Sequence, residues 1–187
     1  VKKLGDHPVV IDTGVIGKPA TRADVTRQQV AERGGTPLAE LLKKPDREQA
    51  APVMAQGATR IVTEMVDQQK VHGVIAMGGT QGTTLATSVM RALPYGLPKV
   101  MVSTMASGDV APWVGIKDIT MMFSVADILG LNPLTRKILA NAVGAVCGAA
   151  HVEVTLDTGD KPLVAVTTVG ITTLGAMRAI EVLEAAG

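Results

Sequence analysis

The sequence predicts an α/β fold: a three-layer, doubly wound and mainly parallel sheet of the Rossmann-like kind. Two observations carry that expectation. Short apolar runs alternate with longer segments of helical periodicity along the 187 residues. Several runs, such as Val74-Ile75-Ala76-Met77 and Leu163-Val164-Ala165-Val166, are apolar at every position, as in strands covered on both faces. Strand, helix, strand, helix in succession requires right-handed crossovers, which place helices against both faces of the sheet.

Taken in order, the expected strands are Pro8 to Asp12, Gly73 to Met77, Lys99 to Ser103, Asp118 to Phe123 and Leu163 to Thr167, with a further short one at Val152 to Val154. Thr21, with Asp24 three residues on, has capping-box spacing and opens a helix to about Arg33, where Gly34-Gly35 stops it. Leu38 to Lys43 reads as a helical turn inside the one extended loop. Between Asp46 and Gln69, Met54, Ala58, Ile61 and Met65 recur at helical spacing along one stripe. The next helix should begin near Gly82 or Thr83, with Leu85 over Val89 and Ala86 over Met90. Asn132-Pro133 is a cap followed by a first-turn proline, opening a helix to about Ala150. A last helix from about Thr172 places Leu174, Met177, Ile180 and Leu183 on one face and Arg178, Glu181 and Glu184 on another. No internal repeat or linker interrupts the series, so residues 1–187 read as a single domain. The turn Thr158-Gly159-Asp160 follows the short strand at Val152 to Val154.

Composition narrows the function. Hydrophobic residues make up 47% and charged ones 19%, enough to bury a core; one Trp, one Tyr and one Phe leave Val, Ile, Leu, Met and Ala to build it. That argues against a jelly roll and against a nucleic-acid binder that stacks bases on aromatic side chains. The charge balance of +1 is evenly spread, so neither a polyanion footprint nor a basic membrane patch is present. One Cys excludes an internal disulfide and a cysteine metal cluster. The longest apolar run, Ala142 to Ala150, falls short of the roughly 18 residues of a membrane span. The amino terminus lacks the apolar middle of a signal peptide. A soluble cytoplasmic protein is expected. The chain opens on Val1 rather than Met, so further residues upstream are expected in the parent protein.

Ligands of open parallel sheets bind at the carboxyl ends of the strands, so chemistry is sought in the strand-to-helix loops. After Met77 come Gly78, Gly79, Thr80, Gln81, Gly82, Thr83 and Thr84, followed at once by a helix. Glycines allow close backbone approach, and the amides and dipole of the helix attract an anion, with the three Thr hydroxyls as further donors. The loop reads as a phosphate cradle or as a tight turn that caps a helix. It has neither the Lys of a Walker loop nor dinucleotide G-x-G-x-x-G spacing. After Ser103, residues Thr104, Ser107, Gly108 and Asp109 either line a ligand, with Asp109 placed to hold a phosphate-bound metal, or cap the next turn. Ser124 and Asp127 again show capping-box spacing. Gly170, between Thr168 and Thr172, marks a second loop suited to an anion or to a cap. Asp12, at the end of the first strand, suits ribose hydroxyls or a turn. His7, His72 and His151 have no ligand spacing, and Cys147 lies in a small-residue helical face suited to close packing inside the domain or across a dimer.

Three segments in series, Gly78-Gly79-Thr80-Gln81-Gly82-Thr83, Ser103 to Asp109 and Ser124 to Asn132, resemble the ATP-binding domain family represented by the tomato mosaic virus resistance protein, a largely uncharacterised family of bacteria and plants. The likeness runs from about Pro8 to the end of the chain. It implies a Rossmann-like domain that binds ATP, with or without magnesium, and forms a homodimer; without a P-loop Lys, an arginine finger in sequence context or a clear carboxylate pair for magnesium, slow or no turnover of ATP is expected. It also implies that a strand, a Gly-, Thr-, Asp- and Lys-rich loop and a helix precede this chain in the parent protein, and that a second α/β domain follows. The Gly-Gly-Thr-Gln-Gly-Thr turn is distantly similar to the Gly-Gly-Asp-Gly-Thr turn of NAD-kinase-like and phosphofructokinase-like enzymes, without its Asp. The alternative expectation is therefore part of an enzyme acting on a small phosphorylated or carboxylated metabolite between two domains.

Overall fold

In the computed structural model, residues 1–17, 19–43, 47–154 and 164–186 are described. The chain divides into two compact units, Val1–Val152 and Glu153–Gly187. The first contains the sheet, three parallel strands β1 (Val74–Gly78), β2 (Lys99–Ser103) and β3 (Thr120–Phe123) in spatial order β1-β2-β3. Around them lie α1 (Arg27–Arg33), α2 (Leu38–Leu41), α3 (Arg47–Asp67), α4 (Thr80–Ala92), α5 (Ala111–Val114) and α6 (Pro133–Ala150). This is the expected α/β, Rossmann-like arrangement.

Register explains the layers. Ala76, Met101 and Met121 are neighbours across the sheet, and they pack with Ala86 and Met90 of α4 and Val114 of α5. Offset by one residue, Ile75 and Val100 point to the opposite face and meet Ala142, Val146 and Cys147 of α6. Continuous apolar runs are required because both faces are covered, and every residue of β2 is buried. Outside α4 lies a further layer in which Val30 and Ala31 of α1 pack on Met54, Ala58 and Ile61 of α3. The backbones of α1 and α3 touch there: a β-carbon on Gly57 would stand 1.8 Å from the Val30 carbonyl oxygen, and one on Gly34 2.1 Å from that of Val53.

Several expectations are corrected. The strand at Pro8 to Asp12 reduces to one parallel bridge, Ile11 to Val25. The helix expected from Thr21 begins later, because Asp24 accepts the Val10 amide at 2.8 Å and the capping box is formed by Thr26 and Gln29. Helix α4 starts at Thr80, two or three residues before the expected position. Residues 152–154 and 164–169 form no strand; Val164 and Val166 are exposed and have no ladder partner among the described residues. Leu163 and the turn Thr158-Gly159-Asp160 lie outside the described residues. The Asn132 cap is as expected: its Oδ1 accepts the Thr135 amide and Thr135 Oγ1 accepts the Asn132 amide.

The second unit holds a 3-10 turn, Gly170–Thr172, leading into α7 (Thr173–Ala186). Gly170 has a positive φ of 42°, and Thr172 Oγ1 accepts the Val169 amide at 3.1 Å. Among the described residues, no helix is long and apolar enough to cross a membrane.

Candidate functional site

The carboxyl edge of the sheet brings together Gly78, Ser103 and Phe123, one from the end of each strand and in register. From Gly78 the chain enters α4 within two residues. That turn needs glycine at 78: a β-carbon there would stand 2.9 Å from Gly82 Cα. Gly79 is the N-cap and has no side chain to bond, so no N-cap side chain reaches the first-turn amides of Thr80, Gln81 and Gly82. Such amides have no intrahelical acceptor and carry the positive end of the helix dipole. Helices α1 and α6, in contrast, close their starts with capping boxes.

The three threonines of the loop divide by role. Thr83 is fully buried, and its hydroxyl lies 2.7 Å from the Ser103 hydroxyl, which also accepts the Met105 amide at 3.0 Å. This pair stitches α4 to the end of β2. Thr84 donates to the Thr80 carbonyl at 3.0 Å and accepts from the Trp113 indole at 3.1 Å. Thr80 is exposed at the edge. Thr104 stands beside the loop: its amide donates to the Gly78 carbonyl at 3.2 Å, and its Oγ1 is 3.6 Å from where a β-carbon on Gly79 would stand.

Beyond Thr104 the chain turns through the exposed residues Ser107 and Gly108, and the Gly108 amide donates to the Met105 carbonyl at 3.3 Å. Asp109 accepts the Ala111 amide at 2.9 Å and so starts α5. After β3, the capping box expected at Ser124 and Asp127 does not form, and no helix follows until α6. Buried Ser124 donates to the Ala126 carbonyl at 2.7 Å, and Asp127 accepts the Ile128 amide at 2.9 Å. Between Ser124 and Ala126, Val125 has a φ of 64°, a left-handed conformation rare for a β-branched residue. No composition signal marked that turn.

One sequence candidate, Asp12, lies away from this edge within the first unit. Asp12 is paired with Arg27 at 2.8 Å, with both side chains largely buried, and it also accepts the Gly14 amide. The pair lines a cavity of about 710 Å³ walled by Val15, Ile16, Leu38 and Leu42, to which neither the Gly78 loop nor the Thr104 loop contributes. Gly170 belongs to the second unit.

At the opposite end of α6, Cys147 is buried, and burial together with the Asp6 carboxylate pushes its thiol pKa up. The neighbouring thiol and His151, whose Nε2 is 2.8 Å from Asp6 Oδ1, hold the Asp6 carboxyl below its ordinary pKa against the effect of burial. No group of three or more His, Cys, Asp or Glu side chains able to hold a metal ion occurs among the described residues.

Fold and edge together define a Rossmann-like α/β protein whose candidate binding edge is built from glycine, threonine and serine. Residues 1–155 match a family described as the N-terminal domain of an uncharacterised protein family (UPF0261), and the chain belongs to that family. A UPF0261 protein of Clostridium tetani is 45% identical over 184 residues, covering 98% of this chain and 46% of that protein. One from Rhizobium meliloti is 40% identical over 185 residues, covering 99% of this chain and 45% of its own length. The chain thus spans less than half the length of these bacterial relatives. The "ToMV susceptible protein tm-1(GCR26)" of Solanum lycopersicum is 37% identical over 135 residues, covering 69% of this chain and 18% of the tomato protein.

Proposed function

We propose that the carboxyl edge of the β1-β2-β3 sheet binds the phosphate groups of a nucleotide, ATP in the first instance. The observation that carries this reading is the open start of α4. A 13-residue helix begins on a glycine, with its first-turn amides left for an acceptor that the helix itself does not supply. The groups beside it are the right kind for an anion. Thr80 and Thr104 bring hydroxyls, and Gly79 keeps the approach clear of side chains. Met105 and Phe123 are partly exposed at the same edge and offer apolar surface to the rest of a nucleotide, which inorganic phosphate would not use.

Little or no hydrolysis is expected of this arrangement. The first-turn donors stabilise charge, but the loop contains no lysine to follow the transferred phosphoryl group. Asp109 is occupied by the start of α5.

Backbone amide spectra recorded during titration with ATP, and separately with inorganic phosphate, test the reading. The largest shifts are expected at Thr80, Gln81 and Gly82. Equal response to inorganic phosphate and ATP would turn the reading toward a small phosphorylated metabolite. Shifts confined to the Asp12–Arg27 cavity would overturn it.

A further inference from the structure

We infer that Trp113 is a positioning residue that locks the two loops of the carboxyl edge together. This rests on the reading of that edge as a ligand site only for its consequence for affinity; the link itself is a matter of geometry.

The loop after β2 is held at both ends. At its start, the Thr104 amide bonds to the Gly78 carbonyl and the Met105 amide to Ser103 Oγ. At its far end, Asp109 opens α5, and α5 is fastened to α4 by side chains. Arg91, in the last turn of α4, donates through Nη1 to the Trp113 carbonyl at 2.7 Å and the Pro112 carbonyl at 3.2 Å. The Trp113 indole then reaches forward along α4 and donates to Thr84 Oγ1 at 3.1 Å. Thr84 spends its own proton on the Thr80 carbonyl at 3.0 Å. The result is a relay from the α5 anchor into the first turn of α4, where the free amides sit. One hydroxyl serves as acceptor for the indole of α5 and as donor to the first turn of α4, so its loss breaks the link between them. The indole of Trp113, the one tryptophan of the chain, is only half-buried, so its bond to Thr84 fixes a ring that packing alone leaves partly free.

Thr84→Val removes the acceptor while keeping size, Trp113→Phe removes the donor along with one ring of the indole, and Thr84→Ser keeps the hydroxyl. In amide spectra without ligand, Thr84→Val is expected to move the Trp113 indole resonance and the amides of both Thr80 to Gly82 and Met105 to Asp109, whereas Thr84→Ser leaves them near their wild-type positions. Perturbation confined to α4 would overturn the proposal.

The second arm is affinity for ATP. Each of Thr84→Val and Trp113→Phe should weaken binding roughly 3- to 10-fold, the size of one modest hydrogen bond. The double variant should be no weaker than either single one, because both remove the same link. Additive losses, or an affinity unchanged in both single variants, would refute the positioning role. Failure of the wild-type chain to bind ATP, with the spectral link intact, would count against the nucleotide reading and leave the relay standing.

Discussion

Lys99 Nζ lies 2.9 Å from Asp118 Oδ1 at the amino end of β2, with the lysine side chain fully buried and the carboxylate partly exposed. The ammonium has two further acceptors, the carbonyls of Pro94 at 2.8 Å and Leu97 at 2.6 Å, so all three of its protons are used. Asp118 Oδ2 in turn accepts the Gly96 amide at 2.8 Å. A charge buried in a sheet strand is tolerable only under such complete pairing. The cluster pins the α4-to-β2 turn to the approach to β3, at the end of the sheet away from the candidate site.

Partial burial opposes ionisation of Asp118, but Lys99 and the Gly96 amide outweigh it and hold the carboxyl pKa below its ordinary value of 3.8. A carboxyl with a lowered folded-state pKa contributes stability that is present above its unfolded value and lost as pH falls through the folded value. The contribution is therefore complete at neutral pH and declines below about pH 4. Asp118→Asn leaves the buried ammonium one anionic partner short and should cost about 1–3 kcal/mol at pH 7. Denaturant melts at pH 7 and pH 3 should show the gap between variant and wild type narrowing in acid. A constant gap would show that the charge of Asp118 is not what Lys99 needs.

Two glycines of similar sequence context should respond oppositely to alanine. Gly57→Ala forces a β-carbon into the Val30 carbonyl, so α1 and α3 must separate, at an expected cost of about 3 kcal/mol or more. Gly144 lies on α6 with nothing near the position of an added β-carbon. There, alanine should stabilise by about 0.5–1 kcal/mol through helix propensity and the unfolded chain. Thermal melts of both variants check the contrast.

The hydroxyl pair of Thr83 and Ser103 is a structural stitch between α4 and β2. Thr83→Val removes a buried partner and should destabilise by about 1–3 kcal/mol. Thr83→Ser keeps the hydroxyl and should lose less. If Thr83→Val melts like wild type, the 2.7 Å pair contributes nothing to the join between α4 and β2.

Cys147 should behave as a protonated, protected thiol. Burial and the adjacent Asp6 carboxylate both oppose its ionisation. A thiol reagent at pH 8 should label it slowly in the native chain and at once in denaturant; equal rates would contradict its burial.

What could be read from sequence was local. Lys99 to Ser103 is a bounded, wholly apolar run but for its ends, and it forms a strand with those limits. Asn132-Pro133 needs only its own next turn to act as a cap. The failures depend on partners distant in the chain. Asp24 looks like a capping residue until the Val10 amide, fourteen residues earlier, takes its carboxylate. Leu163 to Thr167 reads as a strand from composition, but strandhood requires a neighbour, and Val164 to Thr167 have none among the described residues. The site followed the same division. The glycines and threonines after β1 were evident, whereas the separate fates of Thr80, Thr83 and Thr84 were not. Those follow from the register of Gly78 with Ser103 and from the packing of Trp113, neither of which a single segment encodes.

If the open first turn of α4 takes a nucleotide phosphate, Thr80→Glu must block it. A carboxylate in that turn complements the helix dipole and should stabilise the fold by about 0.3–1 kcal/mol. The same carboxylate occupies and repels the phosphate position. Calorimetric titration of ATP into the wild type and Thr80→Glu should therefore show binding to the wild type and its loss in a variant that melts no lower. Equal ATP affinity in the two would mean that the phosphate does not sit at the start of α4.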